Sequence, residues 1–342
     1  MIKPSNIFTS RTLLLLVSFV MLCNLAKGQD LHFSQFYEAP LLRNPALAGL
    51  YEGDVRIQGV YRNQWNSVAF PYQTGSINAE YKFPVGKGED FLTVGGQVLY
   101  DKAGTVQLQT VHMLPMVNFH KSLSTNKVSY LSLGFMGGMV NRRLDRSRVT
   151  TNSQYDGFYF NGSLPDGETF TGAYSYADMS VGMSFNTTLG SNDQHYVFWG
   201  LAYHHFNKPM HSFYGNIAHL PKWVASGGLK LNLDDVTYIT FHGDITDQKP
   251  FREIMGGGTF SKRMGDEYAS TTTVHAGMYY RYNDAIVPVL KFDVNQLSIG
   301  ISYDINISAL APASLNRGGF EISLGYLAIK PKHADIILCP KF

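Results

Sequence analysis

The chain has 342 residues, a formal net charge of +2, 16% charged residues and 13% aromatic ones. Soluble domains carry roughly 25% charged residues, so this composition argues against an ordinary soluble surface; the net charge itself is uninformative, and nothing suggests a nucleic-acid surface. Two cysteines, Cys23 and Cys339, cannot build a disulfide framework or a multi-cysteine metal site.

Lys3 and Arg11 precede an apolar run from Leu13 to Cys23, followed by Leu25-Ala26-Lys27-Gly28. A charged start, a short apolar middle and small residues at the end predict a secretory signal peptide over residues 1–28, cut between Gly28 and Gln29. A spanning helix needs about 20 apolar residues, and no later stretch approaches that length. Cys23 follows Leu22, where a lipoprotein signal needs a small residue.

Residues 29–53 contain Phe33-Ser34-Gln35-Phe36-Tyr37, Pro40 and Pro45, and they alternate poorly. From 54 to 328 the dominant signal is period-2 alternation, in which successive side chains point to opposite faces of a strand. Residues 296–306 show it best: Leu297, Ile299, Ile301, Tyr303 and Ile305 share one face, and Ser298, Gly300, Ser302, Asp304 and Asn306 share the other.

Strands are predicted near 54–66, 72–83, 91–101, 105–119, 127–141, 174–186, 195–206, 222–232, 235–245, 251–262, 268–281, 285–294, 296–306 and 317–328. Those at 235–245 and 268–281 have the weakest alternation. About fourteen segments, each near the 9–11 residues that cross a bilayer at a tilt, predict an all-β fold: a transmembrane antiparallel β-barrel. A charge on the lipid face costs about 2–4 kcal/mol at the midplane, so Glu80, Lys82, Asp178 and Asp304 must face the lumen. An even strand number puts both barrel ends of the chain on the periplasmic side, and the longest connections, 142–173 and 207–221, then fall outside.

Fourteen strands about 4.8 Å apart and tilted by about 40° give a backbone diameter of roughly 28 Å and a lumen of about 15–18 Å. Such a hole would leak, so residues 29–53 are expected to fill it, forming an N-terminal luminal or periplasmic segment that plugs the barrel. Residues 329–342, with Pro331 and Pro340, are expected to form a periplasmic tail.

Chemistry-bearing patterns are few. His204-His205 would point to opposite faces of a strand and so could not chelate one ion. His195, His211 and His219 lack the tight spacing of a zinc motif. Gly137-Gly138 and Gly256-Gly257-Gly258 lack the strand-to-helix context of a phosphate loop and fit bends or close backbone approach instead. Asn161-Gly162-Ser163 and Asn306-Ile307-Ser308 match only a short glycosylation pattern. No short motif unites a nucleophile, a base and an orienting group, so no enzyme, cofactor or metal is expected. Loop 142–173 carries Arg142, Arg143, Arg146 and Arg148, then Tyr155, Phe158, Tyr159, Phe160 and Phe170. Bare aromatics on an outer loop fit either a partner surface or a cap folded over the mouth.

Several strings, taken together, resemble one family. Phe33-Ser34-Gln35-Phe36 and Asn44-Pro45-Ala46-Leu47-Ala48-Gly49 are followed by Tyr61-Arg62-Asn63-Gln64-Trp65. Tyr203-His204-His205-Phe206-Asn207-Lys208-Pro209 and Arg281-Tyr282-Asn283-Asp284-Ala285-Ile286-Val287-Pro288 come next. Gly300 to Asn306, Gly318 to Leu324 and the closing Cys339-Pro340-Lys341-Phe342 complete the set. In this order they are similar to the PorP/SprF family of type IX secretion proteins; Tyr37-Glu38-Ala39 departs from it, where more apolar residues are usual.

The resemblance implies an outer-membrane component of Bacteroidota-type bacteria that helps export, capture or anchor secreted proteins, gliding adhesins among them. The implied partners are the C-terminal domain of a secreted cargo protein, other secretion components and a periplasmic peptidoglycan-associated protein. A diffusion channel or transporter for small solutes is the alternative. Asn44, Arg62, Gln64, Arg281 and Asp284 recur in the matched strings and are the candidate network holding the inner segment. Tyr155, Phe158, Tyr159, Phe160 and Phe170 are the candidate cargo-binding loop.

Overall fold

The computed structural model describes residues 30–65, 70–86, 88–190, 195–265, 271–309 and 311–328. The predicted signal peptide, its cleavage point and the tail 329–342 lie outside these residues.

Fourteen antiparallel strands close into one barrel: β1 Val55–Gln64, β2 Tyr72–Pro84, β3 Phe91–Ala103, β4 Leu108–Ser122, β5 Ser129–Arg143, β6 Ala173–Leu189, β7 His195–His204, β8 Lys222–Asn232, β9 Thr237–Gln248, β10 Phe251–Met264, β11 Thr272–Arg281, β12 Ala285–Val294, β13 Leu297–Asn306 and β14 Arg317–Ala328. Each pairs with its chain neighbours, and β1 pairs with β14 from Val55↔Ala328 to Gln64↔Gly319. Closure leaves no free edge, so every strand finds its ladder partners without water. Among the described residues no helix is long and apolar enough to cross a membrane.

The predicted strands at 222–232, 285–294 and 317–328 agree with the observed limits. Others moved: β4 lies three residues later than expected at both ends, β9 runs on to Gln248, and the described part of β11 begins at Thr272. Ladder pairing fixes these limits, and side-chain pattern is only its shadow there.

Burial follows parity. On β2, Thr74, Ser76, Asn78, Glu80 and Lys82 are buried while Ile77 is exposed. On β13, Ser302, Asp304 and Asn306 are buried while Leu297, Ile299 and Ile301 are exposed. The molecule is therefore polar inside and apolar outside, the inverse of a soluble sandwich and the arrangement that a hydrocarbon solvent selects. Glu80, Lys82, Asp178 and Asp304 are all buried on the inner face.

Connections alternate between two ends. One end carries 144–172, 205–221 and 307–316, and the other, among the described residues, carries short turns such as 123–128, 233–236 and 295–296. They are called here the loop end and the turn end.

Residues 33–51 touch the inner face. They contain three short helical turns, Phe36–Glu38, Pro40–Arg43 and Pro45–Leu47. Pro40 and Pro45 each start a turn, where the missing N–H costs nothing, and the Asn44 side chain caps the third by accepting from Ala46 N–H at 2.8 Å. Phe33, Phe36, Leu41, Leu47 and Tyr51 are buried among wall residues such as Val60, Tyr279, Met136 and Phe198.

Candidate functional site

The inner segment begins beside the loop end. Arg62 donates to the His32 carbonyl at 2.8 Å and to Asp304 Oδ2 at 2.8 Å, and lies 3.3 Å from Glu321 Oε1. Arg281 donates to the same Asp304 oxygen at 2.6 Å, to Asp284 at 2.6 Å and to Ser34 Oγ at 3.1 Å. Glu321 accepts from the backbone N–H groups of Ser34 and Gln35 at 2.6 and 2.7 Å. With its amide oxygen turned toward Arg62, Gln64 accepts from Nε at 3.0 Å. Asp304 lies where the β13–β14 register shifts between Tyr303 and Ile305.

The segment then winds to the turn end. Glu38 accepts from Lys291 Nζ at 2.6 Å and Gln58 Nε2 at 2.8 Å. Arg43 forms a two-pronged pair with Asp244 and lies over the Phe36 ring at 4.7 Å, while His204 Nε2 meets its carbonyl at 3.0 Å. The Ala46 carbonyl accepts from Asn118 and Ser184. Gly49 N–H donates to Glu80, and Lys82 donates to the Tyr51 carbonyl while its Nζ lies 4.3 Å from the Tyr51 ring centre. Gly49 has φ +82°, and a side chain there would meet Thr93 and His120. Asp54 then leads into β1 at the turn end.

Of the expected network, Arg62, Gln64, Arg281 and Asp284 share one cluster. Asn44 does not join it: its amide donates to the Met183 carbonyl at 3.1 Å on β6. Alternation tells which face a residue uses, but not its depth or its angle around the wall. The residues missed were Ser34, Gln35, Glu321 and Asp304, the last expected to face the lumen but not to join the network. Glu321 was findable, since it is the one charge alternating with Phe320, Ile322 and Leu324.

The reasoning on His204-His205 needs correction. His204 ends β7, and His205 has φ +56°, so the chain leaves the strand and both rings are buried inside. His205 Nδ1 lies 2.8 Å from Asp178, and its ring stacks on His219 (4.0 Å), which stacks on His211 (4.4 Å, planes 4° apart). The stacked rings pack against one another where loop 205–221 leaves β7.

Ser261 Oγ lies 2.8 Å from His275 Nδ1, and His275 Nε2 lies 3.1 Å from Asp293. No sequence motif marks this chain across β10, β11 and β12. The Ser261 side chain is fully buried. Asp293, Glu38, Arg56 and Lys291 also line a polar recess of about 550 Å³, open mouth included, near the turn end.

At the loop end, Tyr155 and Phe160 pair across a small hairpin. Asp156 accepts from Phe158 and Tyr159 N–H at 2.9 and 3.0 Å, and the Tyr159 and Phe158 amides hold its carboxyl below the usual range. The tip therefore presents Phe158, which is 89% exposed, with Tyr155, Tyr159 and Phe160 also open to solvent. Phe170 stands apart, under Arg146 at 4.7 Å. Arg146 also reaches Asp166 and the carbonyls of Glu168 and Phe170, and Arg148 pairs with Asp145. These two arginines build the loop. Thr171 N–H donates to the Phe213 carbonyl, and Tyr174 packs edge-on against Phe213 at 4.7 Å, so the two long loops meet, bringing exposed Met210, Tyr214 and Ile217 to the same end.

A family model described as type IX secretion system membrane protein PorP/SprF matches residues 25–326. No curated protein sequence matches the chain. Among solved structures, a deltaS2 mutant of the TodX monoaromatic hydrocarbon channel is similar at 10% identity and TM-score 0.47, covering 84% of this chain and 93% of that one. The translocator domain of the autotransporter NalP from Neisseria meningitidis is similar at 10% identity and TM-score 0.43, covering 86% and 96%.

Proposed function

The chain belongs to the PorP/SprF family of type IX secretion system membrane proteins, and we propose that it captures the C-terminal domain of a secreted protein on its loop end. The inner segment keeps the lumen closed to solutes, the loop end faces outward, and the turn end meets the periplasmic secretion components and a peptidoglycan-associated protein. Residues 1–28 are the signal peptide that brings the chain to the outer membrane, and gliding adhesins are one class of cargo it would hold.

One observation carries this reading: two long loops, tied together through Thr171 and Phe213, expose aromatic and aliphatic side chains at the same end. Large bare apolar surface on an aqueous loop marks a protein contact, and aromatic residues supply most of the energy at such contacts.

Replacing residues 144–172 by a short glycine linker should leave the barrel inserted and lower the amount of secreted protein held at the cell surface. Unchanged retention would refute the reading. The polar recess at the turn end favours the second reading, a small-solute channel, because it hollows the wall side of the inner segment.

A further inference from the structure

Four carboxylates surround two arginines where the inner segment meets the loop end. Asp304 lies against Arg62 and Arg281, Glu321 against Arg62, and Asp284 against Arg281. Glu253, at the start of β10, meets His32 at 3.3 Å. With His32 neutral and all four carboxyls ionised, the cluster carries two surplus negative charges.

Its geometry is graded. Arg62, Asp304 and Glu321 are sealed from water, whereas the side chains of His32, Glu253 and Asp284 keep 32%, 22% and 46% of their surface. Asp304 Oδ2 accepts from both arginines, while its Oδ1 is buried without a hydrogen-bond partner. The deep layer thus leaves acceptor capacity unused, and the shallow layer presents two carboxylates to the mouth. A surplus of like charge in a partly desolvated site is costly unless an opposite charge enters.

We propose that the floor of the loop end, formed by His32, Glu253 and Asp284, receives a cationic side chain, lysine or arginine, of the protein that docks on the aromatic loops. This rests on the docking reading above and adds chemistry to it: apolar loops and an anionic floor at the same end of the barrel. The matching partner surface is a basic residue set among apolar ones. Charge complementarity of this kind sets orientation and specificity more than raw affinity.

The test needs no partner. His32→Cys, made in a Cys339→Ser background and purified in a neutral detergent, is reacted separately with a trimethylammonium-ethyl and a sulfonato-ethyl methanethiosulfonate. Each adds its group to the thiolate as a mixed disulfide and releases methanesulfinate. The ratio of the cationic to the anionic rate reads the local potential, and Ser163→Cys on the exposed loop supplies the reference. Two surplus charges some 6 Å away, screened over about 8 Å, should raise the ratio about five- to tenfold over the reference.

Adding Glu253→Gln or Asp284→Asn should bring the ratio back toward the reference, while heat-modifiable migration shows that each variant is folded. A ratio equal to the reference, or no reaction at His32→Cys, overturns the proposal. Loss of the ratio on adding calcium makes the floor a metal-ion site and overturns it too. Each of these outcomes leaves the loop-replacement result untouched, so this proposal and the docking reading fail separately.

Discussion

At the scale of single residues, Glu321 has the largest expected consequence. It is fully buried, takes two backbone N–H groups of the inner segment and faces Arg62. Glu321→Ala would leave both amides and part of a buried guanidinium unpaired, and breaking a buried pair in this way costs about 3–5 kcal/mol. The midpoint of the heat-modifiable gel shift should fall clearly; a change under about 1 kcal/mol would mean that water enters and takes over these bonds. Much at this scale was legible: parity placed Arg62 and Gln64 on one face, and Asp304, a lone charge among apolar neighbours, had to point inward. His205 was misread because parity holds only while backbone angles stay extended, and the chain leaves that region at φ +56°.

Among the elements, the glycines on the inner wall decide how the segment fits. A Cβ on Gly182 would overlap the Asn44 amide, one on Gly200 would come within 2.7 Å of Asn44 Nδ2, and one on Gly134 would come within 2.6 Å of the Pro45–Ala46 peptide. Three strands thus leave out a side chain to admit one turn. Gly182→Val should expel that turn and expose residues 33–51 to added protease, whereas Gly59→Ala, with its nearest neighbour 3.8 Å away, should change nothing. Equal protease resistance in both variants would refute the close-fit account.

The aromatic tip is a second element with its own test. Phe158→Ser changes a side chain that packs on little of this molecule, so stability should move by no more than about 0.5 kcal/mol. Surface retention of the secreted protein should drop several-fold. Strand number and most limits were readable because lipid outside and polar groups inside impose one rule along the whole wall. The limits of β9 and β11 were not, because both faces of those strands carry mixed residues.

For the whole molecule, the barrel was legible and the path of the inner segment was not. Its bonds join positions as far apart as 288 residues, as between Gln35 and Ser323, and no local pattern encodes such a pairing. The closed-lumen reading makes a direct prediction. The full-length barrel should be nearly silent in a planar bilayer, and deletion of residues 29–53 should give steady conductance, since a lumen of about 15–18 Å passes small ions freely. Large conductance from the intact chain would favour the channel.

The seam between β1 and β14 bears on the order of manufacture. The ribosome makes the inner segment first and the strand that anchors it last, because Ser34 and Gln35 are held by Glu321 on β14. Until that final strand arrives, the ring is open and its thread has no knot. A chain cut short before residue 317 would lack both the closing ladder and the anchor, and should be degraded rather than inserted.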